Sequence, residues 1–254
     1  MTAPIRILLP LDSQSNETFR SALGYAKGLC KKTGASDVIL LTHTKNQLNH
    51  TSLAGFLGDN TLRELSKGPV GLGDDIRLRS ETMRTIGASV GNSVVLVYYA
   101  ATDILDLVDG LRSIAGVVAV PDHPKDGDDW AERWGAIIPG QQNTSAGAPL
   151  IDDPIVERAL ESLSSSINLS TGLGHPRDKE QANEVLRILR AHGHADPTAR
   201  IKSWAIRRGW RPKDAAKLEE LSRKIWTLKT KPSLASFHNP TGRYERWRSP
   251  SASD

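Results

Sequence analysis

Four short apolar runs in the first 121 residues constrain the fold more than any other feature of the sequence. They cover residues 5–11, 38–42, 94–100 and 117–121, and each is apolar almost throughout instead of alternating with polar residues. This pattern is typical of parallel strands that are covered on both faces. Because segments with helical spacing lie between the runs, the sequence predicts an α/β fold, a Rossmann-like, doubly wound and mainly parallel sheet. A weaker run at 75–79 predicts a fifth strand.

Two connecting helices of this α/β domain are predicted from their apolar faces and their ends. Residues 16–33 place six apolar side chains on one face, with Ser13 or Ser15 as the N-cap and Gly34 just after the last turn. Residues 102–113 repeat the pattern, and Asp103 lies near the positive end of that helix.

The second half of the chain predicts a small all-α bundle. A proline marks the start of each of four predicted helices, at Asp153-Pro154, His175-Pro176, Asp196-Pro197 and Pro212. The segment before them is rich in Gly, Pro, Ser, Asn and Gln, as linkers are. We therefore predict an α/β domain at 1–138, a linker at 139–150, a basic helical domain at 151–231 and a flexible Arg- and Trp-containing tail at 232–254.

Several function classes are excluded by what the sequence lacks. A single cysteine, Cys30, permits no intramolecular disulfide and no multi-cysteine zinc site, so we expect no metal centre and a reducing, cytoplasmic location. The longest apolar run, 94–101, is far shorter than a membrane-spanning helix, so we expect no membrane contact. The motifs GxxxxGK[ST], GxSxG and HExxH are absent, which removes several familiar catalytic mechanisms without deciding whether the protein is an enzyme.

Polar side chains follow the predicted strands, where the carboxyl ends of a parallel sheet form a ligand crevice. We predict that these side chains bind a nucleotide-like or other anionic small ligand. The residues do not identify this ligand and do not decide whether it is a cofactor. The alternative is that they are helix caps and loop residues. The predicted ligand-binding set is Asp12, Ser13, His43, Thr102, Asp103 and Asp122, and the acid–base candidates for an enzyme are Asp12, His43, Asp122 and His123.

Residues 5–44, IRILLPLDSQSNETFRSALGYAKGLCKKTGASDVILLTHT, carry a family resemblance. The first strand ends in Asp12, a helix with Ala22 and Ala26 follows, and the second strand ends near His43. This segment resembles the first βαβ unit of the universal stress proteins and their adenine-nucleotide-binding relatives. The resemblance implies that Asp12 lies near a bound nucleoside. The family's glycine-rich phosphate loop has no counterpart here, since no glycine lies between Ala100 and Asp109.

Charge is divided unevenly along the chain. Residues 1–150 hold 14 basic and 16 acidic side chains, whereas 197–254 hold 14 basic and 5 acidic ones. This asymmetry predicts DNA, RNA or another acidic partner for residues 197–248, the alternative being a solvated basic surface. The predicted nucleic-acid-binding cluster is Lys202, Arg207, Arg208, Trp210 and Arg211. The alternative is that Trp204 and Trp210 are core anchors of the bundle, with solvated arginines around them.

Two further features of the helical half leave alternatives open. The short connection 209–211 suits a helix-turn-helix, but the mixed charges of the following helix, such as Glu219 and Glu220, would repel phosphates. The loop 168–179 would bind an anion through Ser170, Thr171, His175, Asp178 and Lys179, or is a simple helix-connecting turn.

Three functions are consistent with the sequence. We rank first a two-domain binding protein with a small ligand in the α/β domain and an acidic partner on the helical domain. A nucleotide- or nucleoside-processing enzyme and an assembly protein that docks through its C-terminal tail are the alternatives.

Overall fold

A computed structural model describes residues 3–123, 125–141 and 148–249. The chain divides into two compact units between Ala148 and Pro149. This division falls within the segment 139–150 that the sequence predicts as a linker, of which 142–147 lie outside the described residues. In the described part of the chain, no helix has the length and apolar character needed to cross a bilayer.

The N-terminal unit alternates strands and helices as the sequence predicts. Its elements are β1 (Ile5–Leu8), α1 (Asn16–Thr33), β2 (Asp37–Thr42), α2 (Lys45–His50), α3 (Ser52–Leu65), β3 (Val70–Gly71), β4 (Arg77–Thr82), β5 (Ser89–Ala100), α4 (Thr102–Asp109), β6 (Arg112–Pro121) and α5 (Asp128–Trp134).

These strands form one sheet in the order β1-β6-β5-β2-β4-β3. Every neighbouring pair is parallel except β3 with β4. Apolar residues of α1 and α3 pack on one face, and those of α4 and α5 pack on the other. The predicted doubly wound, mainly parallel α/β fold is therefore confirmed. β1 pairs with β6 and not with β2, so α1 crosses over two strands.

Local chemistry explains the ends and the packing of α1. The Ser15 hydroxyl accepts a hydrogen bond from the Glu17 amide, and Gly34 ends the helix in the left-handed region at φ +72°. α1 packs closely on β6 because Gly116 has no side chain. A Cβ there would lie 2.9 Å from Leu29 Cδ1 and 3.2 Å from the Ile5 carbonyl oxygen.

The structure differs from the sequence prediction at several strand and helix ends. β5 begins at Ser89 instead of residue 94, because its first residues form an irregular extension that pairs with β6 through register shifts. β3 is a short antiparallel strand that the sequence did not predict. α4 ends at Asp109, four residues before the predicted end at 113, and Gly110 is its C-cap.

The C-terminal unit is helical. Its elements are α6 (Pro154–Ser166), a 3-10 turn (Gly172–Gly174), α7 (Pro176–Ala191), α8 (Thr198–Arg207), α9 (Pro212–Trp226) and α10 (Pro240–Arg248). The four predicted helices are present, and three of them begin at a proline that the sequence marks as a start.

The prediction of a flexible tail at 232–254 is wrong for residues 240–248, which form α10. Asn239 caps this helix by accepting a hydrogen bond from the Gly242 amide. Trp247 is only 4% exposed, and Arg243 pairs with Glu184 of α7 at 2.6 Å. Arg158 Nε of α6 also donates to the Trp247 carbonyl oxygen at 2.5 Å. Trp247 and Arg243 of the predicted tail thus pack α10 on its own unit.

Candidate functional site

The carboxyl ends of β2 and β5 are the place where a sheet of this topology is expected to form a ligand crevice. The chain leaves β2 through α2 and α3 on one face of the sheet, and it leaves β5 through α4 on the opposite face. The two strands are direct neighbours, with Leu40 opposite Leu96. Connections that depart in opposite directions from adjacent parallel strands mark the topological switch point at which α/β sheets bind ligands.

His43 and Asp103, both predicted from the sequence, meet at this switch point. His43 Nε2 lies 2.9 Å from Asp103 Oδ1, which also accepts a hydrogen bond from the Ile104 amide. The Asp103 side chain is 63% exposed and the His43 side chain 23%. Burial raises the pKa of Asp103, but the hydrogen bonds from His43 and Ile104 lower it, and the pKa ends below its ordinary value.

The proton on His43 is fixed by this contact. An ionised carboxylate only accepts hydrogen bonds, so Nε2 carries the proton that joins the two side chains. Nδ1 is buried, and none of the described residues donates a hydrogen bond to it. Gln47 fixes the backbone at His43, since its Oε1 accepts a hydrogen bond from the His43 amide at 2.8 Å.

Hydroxyl groups at the same edge of the sheet join three segments of the chain. The Tyr99 hydroxyl, at the end of β5, lies 2.7 Å from Ser52 Oγ and 3.0 Å from Thr51 Oγ1. Ser52 Oγ donates to Gln14 Oε1 at 2.8 Å, which brings in the loop between β1 and α1. Tyr99, Thr51 and Ser52 were not among the site residues predicted from the sequence, because they become neighbours only through the order of the strands.

A β-bulge at the end of β5 creates this arrangement. Tyr99 has φ +57°, and the register with β6 shifts between Tyr98 and Ala100. Both tyrosine rings therefore pack on the same face of the sheet, where strict alternation would separate them. The Tyr98 hydroxyl donates to the Ser13 carbonyl oxygen at 3.0 Å. A left-handed backbone in a bulky residue costs about 1–3 kcal/mol and is found disproportionately at functional sites.

The other predicted ligand residues have separate places. Asp12 is exposed, and its Oδ1 accepts a hydrogen bond from the Gln14 amide, which is the loop role that the sequence offered as the alternative. Ser13 is buried beneath Tyr98, and Thr102 is the exposed first residue of α4. Asp122 and His123 follow β6 and are exposed, and within the described residues no side-chain hydrogen bond joins them to Asp12 or His43.

A second concavity lies at the opposite edge of the sheet. A groove of about 880 Å³ is lined by Ile5, Thr33, Asn92, Ser113 and neighbouring residues at the amino ends of the strands. Lys32 is the one charged side chain among its lining residues. Because parallel sheets bind ligands at their carboxyl ends, the His43–Asp103 crevice remains the candidate site.

The predicted basic-aromatic cluster of the helical unit does not form a stacking platform. Trp210 is 3% exposed, and its indole N–H donates to Ser164 Oγ at 2.8 Å. Trp204 is 2% exposed, and Arg208 pairs with Glu157 at 3.1 Å and with Glu161 at 2.5 Å. The prediction that Trp210 stacks on a base is wrong, because a buried ring offers no face to a ligand. Arg211 is exposed at the start of α9, and Lys202 and Arg207 belong to α8.

The surface of α9 is internally paired. Asp214, Glu219 and Glu220 each bind a basic side chain one turn further on, at 2.8, 2.5 and 2.7 Å. The connection from α8 to α9 is short, with Gly209 at φ +87°. Its length is that of a helix-turn-helix, but the carboxylates on α9 leave its face without a continuous positive surface.

A polar network that the sequence did not predict links three helical segments of this unit. Asp153, the N-cap of α6, lies 2.6 Å from His194 Nδ1 through its Oδ2. His194 Nε2 lies 3.1 Å from the Tyr244 hydroxyl, and the His192 ring stacks on Tyr244 at 3.5 Å between centroids. Within the described ranges, no three His, Cys, Asp or Glu side chains are grouped to hold a metal ion.

Cys30 has the surroundings of an inert thiol. It is 1% exposed in the core beneath α1, and burial raises its pKa to about 11.

Comparison with known proteins adds one finding. Residues 152–248 match a family model described as a domain of unknown function, DUF1889. The matched segment runs from just before α6 to the end of α10, so it coincides with the helical unit and includes the last helix. No curated protein and no solved structure matches the chain significantly.

Proposed function

We propose that the α/β unit is a small-molecule-binding module whose site is the crevice between the carboxyl ends of β2 and β5. The observation that carries this proposal is the His43–Asp103 pair, which joins the two loops at the topological switch point. The strained Tyr99 and its hydroxyl contacts at the same edge of the sheet support it, because backbone strain of this kind clusters at active sites and ligand clamps.

The chemistry of the crevice favours a neutral, hydroxyl-rich ligand of the nucleoside class. Asp103 is an exposed carboxylate in the first turn of α4, three residues after the end of β5, and acidic residues that follow a strand bind ribose hydroxyls in dinucleotide-binding α/β folds. An exposed carboxylate repels a phosphate, and the glycine-rich phosphate loop is missing from residues 100–109. Of the predicted ligands, the nucleoside is therefore favoured over an anion.

Binding is favoured over catalysis by the state of His43. Its Nε2 is held by Asp103, and its Nδ1 is buried, so neither ring nitrogen is presented to a ligand for proton transfer. Asp122 and His123 have no described hydrogen bond to this pair. The acid–base candidates predicted from the sequence therefore do not form a general base at this site, which disfavours the enzyme alternative.

A thermal-shift and calorimetric screen of the full chain against nucleosides and the corresponding monophosphates tests the proposal. A ligand present at 100 times its dissociation constant stabilises the folded state by about 2.7 kcal/mol. We expect such a shift with a nucleoside, its loss in Asp103→Asn, and its retention in Asp59→Asn, which changes an exposed aspartate of α3. Binding that persists in Asp103→Asn, or a preference for the monophosphate, would place the site elsewhere or change its ligand class.

The packing of α10 disfavours the alternative that the protein docks a partner through its C-terminal tail. Trp247 and Arg243 are engaged within the helical unit, so they are not presented to a partner. The nucleic-acid or acidic partner of the helical unit stays a prediction that rests on charge distribution.

A further inference from the structure

The helical unit contains a cavity whose walls differ chemically from those of the candidate site in the α/β unit. A cavity of about 310 Å³ lies between the 3-10 turn, the first turn of α7 and one face of α9. Its lining consists of Leu173, Lys179, Lys217, Glu220, Leu221 and Lys224. Its volume is at the lower end of the range found for small-molecule pockets.

Helical spacing builds the longer wall of this cavity. Residues 217, 220, 221 and 224 recur at i, i+3, i+4 and i+7 on α9, so their side chains share one face. Leu221 lies in the middle of that face, and Leu173 of the 3-10 turn, 5% exposed, supplies apolar surface opposite. The cavity therefore has apolar surface within and ammonium groups around it.

The charges of the cavity do not cancel. Lys217 Nζ lies 2.8 Å from Asp214 Oδ1, and Lys224 Nζ lies 2.7 Å from Glu220 Oε1. The Lys179 ammonium group has no hydrogen-bond or ion-pair partner among the described residues, although its charge acts on Glu220. The hydrogen bond from Lys224, followed by its charge and the smaller effect of Lys179, lowers the pKa of Glu220. Glu220 thus stays ionised and paired, and Lys179 is the unmatched cation.

The ion pair at the rim is easily rearranged. Lys224 and Glu220 are 71% and 59% exposed, and such surface pairs contribute little to stability. Lys224 is therefore able to turn toward an incoming anion at small cost, while Lys179 already lacks a partner. Two ammonium groups would then face a ligand whose apolar part contacts Leu173 and Leu221.

We propose that this cavity binds a small amphipathic monoanion, with a carboxylate on a compact apolar body. The carboxylate binds Lys179 and Lys224, and the apolar body contacts Leu173 and Leu221. This site lies wholly within the helical unit, so it is independent of the nucleoside site proposed for the α/β unit. The single unmatched positive charge favours a monoanion over a polyanion.

Ligand-observed NMR titration of the full chain with 4-phenylbutyrate tests this proposal. We expect binding to be about three- to tenfold weaker for the neutral amide 4-phenylbutyramide, and weaker by a similar factor for phenylbutyrate with the Lys179→Gln variant. Lys213→Gln is the matched control, since Lys213 is an exposed lysine of α9 outside the cavity. Circular dichroism of each variant verifies that the helices remain folded.

Each contrary result removes a defined part of the proposal. Equal binding of phenylbutyrate and its amide would exclude recognition of the anion. Inorganic phosphate that binds as tightly as phenylbutyrate would exclude a contribution from the apolar surface. A loss in Lys213→Gln as large as that in Lys179→Gln would show diffuse attraction to a basic surface, and no binding at millimolar phenylbutyrate would exclude the site.

Discussion

Asp109 is the centre of a buried polar network on the face of the sheet that α4 and α5 cover. Its side chain is fully buried, and Oδ1 accepts hydrogen bonds from the indole N–H groups of Trp130 and Trp134 at 3.1 and 2.8 Å. Oδ2 lies 2.6 Å from NH1 of Arg133, whose side chain is 3% exposed. Arg6 stacks over the Trp134 ring at 3.7 Å. Trp130 and Trp134 are thus part of a buried polar network.

Asp109→Ala is expected to lower the free energy of unfolding by about 3–5 kcal/mol, because it leaves the buried Arg133 charge without its closest partner. Urea denaturation followed by tryptophan fluorescence measures the loss. Asp106→Ala is the control, since Asp106 contacts the same guanidinium at 3.1 Å but is 18% exposed. An equal loss in the two variants would contradict the assignment of Asp109 as the main partner.

Among the elements, helix starts were predicted accurately where a local cap or a proline marks them, whereas α2, α3 and α10 were not predicted. α1 occupies residues 16–33 as predicted, and α6, α7 and α9 begin at prolines that local sequence marks as N-terminal positions. These ends depend on interactions within a few residues, such as the Ser15 cap. Tyr99 is the opposite case, because its positive φ and its contacts with Thr51 and Ser52 depend on strands far away in sequence.

Asp153→Asn is expected to make the stability of the helical unit less dependent on acid pH. Burial raises the pKa of Asp153, but the hydrogen bonds from His194 and from the Ile155 and Val156 amides lower it below its ordinary value. A depressed folded-state pKa adds stability above the unfolded-state value near 4, and this stability is lost as the pH falls through the folded value. The difference is expected to be a few tenths to about 1 kcal/mol, since the side chain is 34% exposed.

Thermal unfolding at pH 7 and at pH 3 measures this change. Asp196→Asn is the matched control, because Asp196 accepts a hydrogen bond from the Thr198 amide at the start of α8 without a histidine partner. If Asp153→Asn and Asp196→Asn flatten the pH profile equally, the His194 contact contributes nothing.

At the scale of the whole molecule, the chain consists of two units with separate cores. The core of the first unit is built on the sheet, and the second buries Leu160, Leu186, Trp204 and Leu218 among its helices. The family match covers the second unit alone. The charge also divides, with 19 basic and 13 acidic residues in 151–254 against 14 and 16 in 1–150.

Residues 149–254 expressed alone are expected to fold, because a unit with its own buried core does not depend on the rest of the chain. The measurement is far-ultraviolet circular dichroism with thermal unfolding, and the expected result is a helical spectrum that is lost in one cooperative transition. Residues 149–239, which lack α10, are the comparison. A non-cooperative transition in the longer fragment would contradict the division at Ala148, and equal stability of the two fragments would remove the structural role of α10.

Salt dependence tests the predicted acidic partner of the basic half. If the full chain contacts phosphates, its affinity for a fluorescent RNA or duplex DNA falls steeply between 50 and 200 mM salt. Arg211→Gln and Lys213→Gln, which change exposed cations at the start of α9, are expected to weaken binding. Asp59→Asn, in the other unit, serves as the unaffected control. Absence of binding at 50 mM salt would leave the charge asymmetry as a solvated surface.

The sequence by itself determined the fold class, several helix starts and the placement of polar residues after the strands, because apolar periodicity and capping act over short stretches of chain. The tertiary structure alone decided which of those polar residues meet. The order β1-β6-β5-β2-β4-β3 makes β2 and β5 neighbours and brings His43 to Asp103, while Asp122 stays without a described contact to them. It likewise decided that Trp210 is a buried anchor, because burial depends on which helices pack together and not on the residue's own neighbours in sequence.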